Sequence, residues 1–272
     1  MNQSDLVNLF DEISPRLEPD ILHSFVKILC HYEEQLIKLT EILPLLLPPP
    51  PELCYNVTGR PFADFFLKSG QITFERLRDA LKQSGFEFNS FDKILEFGVG
   101  CGRLARWVIP NLDKDKFYGV DIDAKSIEWC QKSLAGEFSI NKIRPSLPKK
   151  FANDSFGLIY SYSVFTHLDE KMQFAWLEEL KRVTKKDGIL LITIRGKDDH
   201  EKVNLDDLDE VKLEKEGFLF KKSNRWNLGE SYQTTFHTKK YILENYSKYF
   251  EILSYVENTH KRFGQDIVIM KK

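Results

Sequence analysis

The chain has 272 residues, 41 acids against 39 bases, a net charge of −2 and 42% hydrophobic residues. That length buries a substantial core, in one large domain or one domain with an appendage, and the interspersed charge leaves no electrostatic footprint for duplex nucleic acid. The longest apolar run, from Ile42 to Pro51, is interrupted by proline and too short to span a bilayer. The N-terminus is acidic and polar, unlike a signal peptide. Cys30, Cys54, Cys101 and Cys130 form no C-x-x-C pair and suit a reducing compartment. A cytoplasmic chain is expected.

Taken in order, residues 4–43 read as helix: Ile21, Phe25, Ile28, Leu29, Tyr32, Leu36, Leu39 and Leu43 keep a three-four spacing with charges between. Pro15 and Pro19 split the pattern into two helices. This arm, residues 1–43, is expected to act as a lid, a dimer surface or simple packing. Residues 44–90 follow as a connector and cap. Leu43 to Glu52 is a stiff polyproline-type spacer, 57–70 is aromatic and punctuated by turns, and Ile72 to Ser84 is a short amphipathic helix stopped by Gly85.

The core, residues 91–272, starts with a buried strand (Ile94, Leu95, Phe97) that breaks into Gly98, Gly100 and Gly102 and resumes with helix-period Leu104, Ala105, Trp107 and Val108. Strand, glycine turn and helix together present backbone N–H groups to a ligand. Glycine suits such a turn because it reaches positive φ and lets a ligand approach bare backbone. A dinucleotide fingerprint, G-x-G-x-x-G, finds Arg103 in its third place if it begins at Gly98. Begun at Gly100 it finds Ala105, a tolerated variant, so spacing alone does not exclude NAD. Glu96 argues against a pyrophosphate and for a cationic amino-acid moiety. The second strand, Lys116 to Asp121, ends in an acid at the distance that suits ribose hydroxyls. Asp123 stands at a helix N-cap position and is the alternative ribose ligand. Ile122 between them is placed to pack on an adenine face. A third strand, Phe138 to Ile140, leads to Asn141, whose amide can both donate to and accept from an adenine edge.

The fourth strand runs from Phe156 to Tyr162, and the rim from Ser161 to His167 faces ligand and substrate, since α/β sheets bind at the carboxyl ends of their strands. A helix from Leu168 is ended by Gly188 before the fifth strand, Ile189 to Ile194, and Arg195-Gly196 lines the same crevice. Within a charged insertion over 197–236, Leu205, Leu208, Val211 and Leu213 predict a helix, and Phe218-Leu-Phe a strand paired with Ser231 to His237. The helix Thr238 to Phe250, capped by Thr238 and burying Tyr241, Leu243, Tyr246 and Tyr249, precedes a hairpin of Phe250–Val256 with Asp266–Met270. Two histidines are positioned to serve as bases near neutrality: His167 after the fourth strand and His237 beside Phe236. A structural hydrogen bond is the competing role for each.

A cation near Glu96 and a ribose at Asp121 describe S-adenosylmethionine. Glu96-Phe-Gly-Val-Gly-Cys-Gly-Arg103, Tyr118-Gly-Val-Asp-Ile-Asp123, Phe156 to Leu168 and Trp176 to Gly188, in that order, resemble the class I S-adenosylmethionine-dependent methyltransferases. The resemblance is strong over 90–195 and looser in the flanks. It implies an α/β, doubly wound, mostly parallel seven-stranded sheet. Its last strand runs antiparallel, and an N-terminal helical extension and a small insertion after the fifth strand complete it. The implied cofactor is S-adenosylmethionine, leaving as S-adenosylhomocysteine, held by Glu96, Gly98, Gly100, Gly102, Arg103, Asp121, Ile122, Asn141 and Ser161. Arg103 either pairs the methionine carboxylate or caps the packing. In relatives a segment like 57–70 closes over the cofactor, so Arg60, Phe62 and Phe66 are further candidates, with packing the competing role of the phenylalanines. Gly157 replaces a commonly structural aspartate. The segment from Ser161 to Val164 lacks the Asn-Pro-Pro-Tyr-like motif of nucleic-acid enzymes. The expectation is methyl transfer to oxygen or nitrogen of a small molecule or peptide, with His167 and His237 as candidate bases, no metal, and a possible homodimer through the N-terminal helices. A non-catalytic S-adenosylmethionine-binding protein and a nicotinamide-dependent oxidoreductase are the alternatives.

Overall fold

Short apolar runs bounded by glycine and polar turns become strands: β1 (Ile94–Phe97), β2 (Phe117–Asp121), β3 (Glu137–Ile140), β4 (Phe156–Ser161), β5 (Thr184–Ile194), β6 (Phe218–Lys222), β7 (Gln233–His237), β8 (Glu251–Val256) and β9 (Asp266–Lys271). They are seen in a computed structural model that describes residues 47–272 except 114, 143, 197–204, 223–232 and 259–263. The helical arm expected over 4–43 lies outside the described residues. Seven strands form one sheet in the order β3-β2-β1-β4-β5-β9-β8, and β6 with β7 form a separate antiparallel ribbon. β1 pairs in parallel with both β2 and β4, and β9 runs antiparallel between β5 and β8. This is the architecture the resemblance implies. The strand order reverses between β1 and β4, and in open α/β sheets ligands bind outside the carboxyl ends at that reversal.

The described helices are α1 (Pro51–Thr58), α2 (Ala63–Gln83), α3 (Ala105–Val108), α4 (Ala124–Ser133), α5 (Glu170–Val183), α6 (Asp207–Glu216) and α7 (Lys239–Asn245). Leu95, Phe97, Ile159, Leu190, Ile192 and Val268 of the sheet meet Trp176, Leu177 and Leu180 of α5 and Ile242 of α7 in one buried cluster. Burial at about 25 cal/mol per Å² of apolar area makes this layer the main source of stability. The caps expected from sequence form: Asp123 accepts from the Lys125 N–H and Thr238 from the Tyr241 N–H.

Several boundaries differ from expectation. The polyproline spacer gives way at its last proline to α1, because a first helical residue needs no amide hydrogen. The aromatic segment after it is mostly helix: α2 starts at Ala63, nine residues before the expected Ile72, because Phe66, Ser69, Gly70, Thr73, Phe74, Leu77 and Leu81 continue one buried stripe. Gly70 does not break that helix; a Cβ there would lie 2.4 Å from the Arg103 carbonyl oxygen, so close packing requires glycine. β5 begins at Thr184, and Gly188 lies within it, with a register shift against β4 between Phe156 and Leu158. Leu243, expected inside, is exposed. Within the described part of the insertion the expected helix and strand pair form, with α6 ended by Gly217 at φ 74° and Leu213, Leu219 and Phe236 forming a small core.

Candidate active site

The glycine turn follows β1 at the reversal. Gly98, Gly100 and Gly102 all have positive φ, 85°, 52° and 80°, a region costly for other residues. Space is equally restrictive: a Cβ on Gly98 would meet Val164 Cγ2 at 2.2 Å, and one on Gly102 would meet Leu134 Cδ1 at 2.3 Å. The helix after the turn, α3, is a single turn long, so the site relies on the loop's own amides.

One of those amides fixes Asp121. The Gly100 N–H donates to its Oδ2 at 2.7 Å, and the Asp123 N–H to its Oδ1 at 2.9 Å. Each oxygen keeps a lone pair for another donor. Asp123 itself turns away to cap α4, where the Ser126 hydroxyl also donates to it. Beside Asp121, Asn141 donates its N–H to the Asp121 carbonyl oxygen at 2.7 Å. The Asn141 side chain is buried and its Oδ1 has no hydrogen-bond partner. Such an orphaned acceptor costs about 1–3 kcal/mol unless a ligand supplies a donor. Ile122 stands next to it, 59% exposed. A carboxylate, an unsatisfied amide oxygen and an apolar face thus lie together at the ends of β2 and β3.

Glu96 departs from expectation. Sequence placed it facing the crevice, but it is only 2% exposed and lies beneath the glycine turn, where the Tyr160 hydroxyl donates to its Oε2 at 2.7 Å. Burial pushes its carboxyl up to about 8, against the opposing pull of the Tyr160 hydrogen bond and the Arg103 charge. Arg103 is anchored from α2: its Nη1 donates to the Ser69 carbonyl oxygen and to Thr73 Oγ1, each at 3.2 Å. Its guanidinium lies 4.7 Å over the Tyr162 ring. Ser161 spends its hydroxyl on the Phe97 carbonyl oxygen at 2.8 Å, tying the tips of β4 and β1 together. Phe66 is fully buried and packs, Phe62 is exposed, and Arg60 lies 4.7 Å over the Phe65 ring.

Beyond β4 the rim is held by side chains from distant elements. The Ser163 N–H donates to Thr193 Oγ1, which donates to Gln265 Oε1, and Gln265 Nε2 donates back to Ser163 Oγ. Ser163 sits at φ 62° inside this ring of hydrogen bonds. His167 follows on a 3-10 turn, with Nδ1 2.6 Å from the Gln233 carbonyl oxygen. A carbonyl only accepts, so Nδ1 carries the proton and Nε2 is the basic nitrogen of the neutral ring. Burial holds the ring neutral, lowering it to about 4. The insertion also supplies an amide that sequence reasoning missed: Gln233 Oε1 is buried without a partner. Strand alternation puts Gln233 on the face of β7 that carries Thr235, whose hydroxyl donates to the Leu168 carbonyl oxygen.

His237, the second candidate base, is not at the rim. It is fully buried, with Nε2 2.9 Å from Gln173 Oε1, an oxygen that also accepts from the Tyr246 hydroxyl. Phe218, Tyr241 and Tyr246 surround the ring, and burial lowers it to about 3. The geometry gives it a structural hydrogen bond, the competing role named for it. Tyr160 was the other residue overlooked, because an apolar run hides a hydroxyl whose value depends on the neighbouring strand. Among the described residues no cluster of histidine, cysteine or acidic side chains is arranged to hold a metal ion, and no helix is long and apolar enough to cross a membrane.

Residues 94–188 match the model of a methyltransferase domain. Among solved structures, the chain is similar to an S-adenosylmethionine-dependent methyltransferase from Methanosarcina mazei, with 19% identity over 70% of this chain and 96% of that one and a TM-score of 0.51. It is similar to another from Clostridium acetobutylicum, at 14% identity over 75% and 91% of the two chains and a TM-score of 0.50. A third is magnesium protoporphyrin IX methyltransferase from Synechocystis with bound S-adenosylhomocysteine, at 16% identity over 78% and 87% and a TM-score of 0.50. At these identities the structural likeness speaks for the fold.

Proposed function

We propose that this chain, whose core is a methyltransferase domain of the class I S-adenosylmethionine-dependent type, transfers a methyl group from S-adenosylmethionine to an oxygen or nitrogen atom of a small molecule or peptide. The observation that carries the cofactor reading is the orphaned Asn141 Oδ1 beside the amide-fixed Asp121. An adenine amino group meets the first and ribose hydroxyls the second, while Ile122 covers the adenine face. Gly98 and Gly100 leave bare backbone for the amino-acid portion, with Arg103 near enough to favour its carboxylate and Glu96 its cationic end.

When bound, the cofactor supplies a methyl group on a positively charged sulfur, already activated for in-line displacement. The protein's task is then to hold acceptor and methyl collinear away from water, and such positioning is worth roughly 7–11 kcal/mol. The Ser163–Thr193–Gln265 ring fixes the loop that borders this space. His167, neutral and with Nε2 basic, takes a hydrogen bond or proton from an acceptor hydroxyl or amine. Gln233 fixes its tautomer.

Calorimetric titration with S-adenosylhomocysteine tests the reading. The wild-type chain is expected to bind with a Kd on the micromolar scale, about −8 kcal/mol. Asp121→Ala is expected to weaken binding at least tenfold, with circular dichroism unchanged. Equal affinity in the two proteins overturns the assignment.

A further inference from the structure

Tyr160 stands opposite Glu96 in the parallel register of β1 and β4. Tyr160 is fully buried and Glu96 is 2% exposed, and the Phe88 and Tyr160 rings meet edge to face with their centroids 5.6 Å apart. Apolar packing at this place is satisfied by an aromatic ring alone. The hydroxyl adds one thing, the 2.7 Å hydrogen bond to Glu96 Oε2. We propose that Tyr160 is a positioning residue for the cofactor: its hydroxyl holds the Glu96 carboxyl in place beneath the glycine turn for the ligand's cationic end. This inference rests on the cofactor reading above.

The groups around Glu96 divide into two sets. Arg103 and the Ala105 N–H, at the start of α3, and the Tyr160 hydroxyl from β4 favour the anion. Asp121 from β2 and burial itself favour the neutral acid, and Cys130 of α4 also lies within range of its charge. Burial dominates, so near neutral pH the free protein holds Glu96 mostly protonated. A cation arriving beside it tips the balance and the proton leaves. Without the tyrosine hydroxyl the anion loses a hydrogen bond, and the pH needed to form it rises.

The test is calorimetric titration of wild type, Tyr160→Phe and Glu96→Gln with S-adenosylhomocysteine between pH 6.5 and 9.5. At neutral pH the wild type is expected to release more protons on binding than Glu96→Gln, read from the dependence of the enthalpy on the buffer's ionisation heat. The ligand's own ammonium titrates identically in all three proteins, so ratios of Kd isolate the protein group. The Tyr160→Phe to wild-type ratio is expected to be several-fold at pH 7.5 and to shrink towards one at pH 9.5. A ratio constant across pH, or equal to one throughout, marks a merely structural hydroxyl and overturns the proposal. Proton release in wild type equal to that of Glu96→Gln overturns it without reliance on Tyr160→Phe. No binding by wild type at any pH removes the cofactor reading, and this proposal with it.

Discussion

The β2–β3 side of the crevice and the β4–β5 side are assembled differently. On the first, Gly100, Asp121, Asp123 and Asn141 meet through backbone amides at the ends of consecutive strands. On the second, His167 meets Gln233 across 66 residues and Thr235 meets Leu168 across 67, so the His167 end of the rim is tied to the insertion. Chain geometry fixes the side proposed to hold the cofactor, and the side proposed for the acceptor is tied to a separate element. A fold that keeps one ligand constant and varies the other has reason to divide the work in this way. The division is sharp enough to be broken by experiment.

The largest effect is expected where the two sides touch. Gly98 at φ 85° faces Val164 of the rim loop, 2.2 Å from where a Cβ would stand. Gly98→Ala combines left-handed strain with overpacking, for a loss of about 2–4 kcal/mol in urea unfolding. The same variant is expected to weaken S-adenosylhomocysteine binding at least tenfold. A stable variant with intact binding would mean that the turn tolerates ordinary residues and that the two sides are not in contact through it.

Acid should separate the sides next. The unfolded chain protonates its histidines below about pH 6.5, whereas the folded chain keeps His167 neutral to about 4 and His237 to about 3. The unfolded state therefore binds more protons, and stability falls as pH drops from 6.5 towards 4, by roughly 1.4 kcal/mol per pH unit for each histidine. Glu96 acts oppositely. Folded, it stays protonated up to about 8, and unfolded it ionises above about 4.3, so it costs stability as pH rises from there to 8. Asp121, also raised by burial, adds in the same direction. Above the range in which Asp121 titrates, two histidines outweigh Glu96 up to pH 6.5, and beyond it Glu96 acts without them, which puts the optimum of these groups near pH 6.5. Urea midpoints across pH 4.5–8.5 check this, and hydrogen exchange should show β6 and β7 opening first on the acid side. A midpoint flat from 6.5 to 4.5 contradicts the buried neutral histidines.

Much of the cofactor side was legible in sequence because its signals are local. Glycines at alternate positions, an acid ending the second strand and an Asp123 cap each depend on backbone rules a few residues long. The pairing of β6 with β7 and the antiparallel β9 were legible from alternation and from the family resemblance. What stayed hidden depends on which atoms meet across the fold. Glu96 reads as a crevice residue until the Tyr160 hydroxyl and the cover of the turn are seen. His237 reads as a base until Gln173, Tyr246 and Phe218 close around it. Gly70 reads as a turn signal, yet the stripe from Phe66 to Leu81 carries α2 through it. Gln233 offers no local signal, since its value comes from a turn 66 residues away.

The smallest expected change is also the most selective, because it concerns cofactor affinity when the acceptor side alone is altered. His167 bonds to the insertion through Nδ1, whereas Asp121 is held by the Gly100 amide. His167→Ala should leave the Kd for S-adenosylhomocysteine within twofold. With an acceptor found by methyl-transfer screening, kcat should fall about a hundredfold or more, the usual scale for loss of a general base. His167→Gln sharpens the reading: a glutamine can keep a donor to the Gln233 carbonyl oxygen but has no basic nitrogen, so it should restore urea stability without restoring kcat. If glutamine recovers both, His167 is a strut between rim and insertion. If cofactor affinity falls in step with kcat, the two sides of the crevice are one structure, and the contrast between local and docked halves fails.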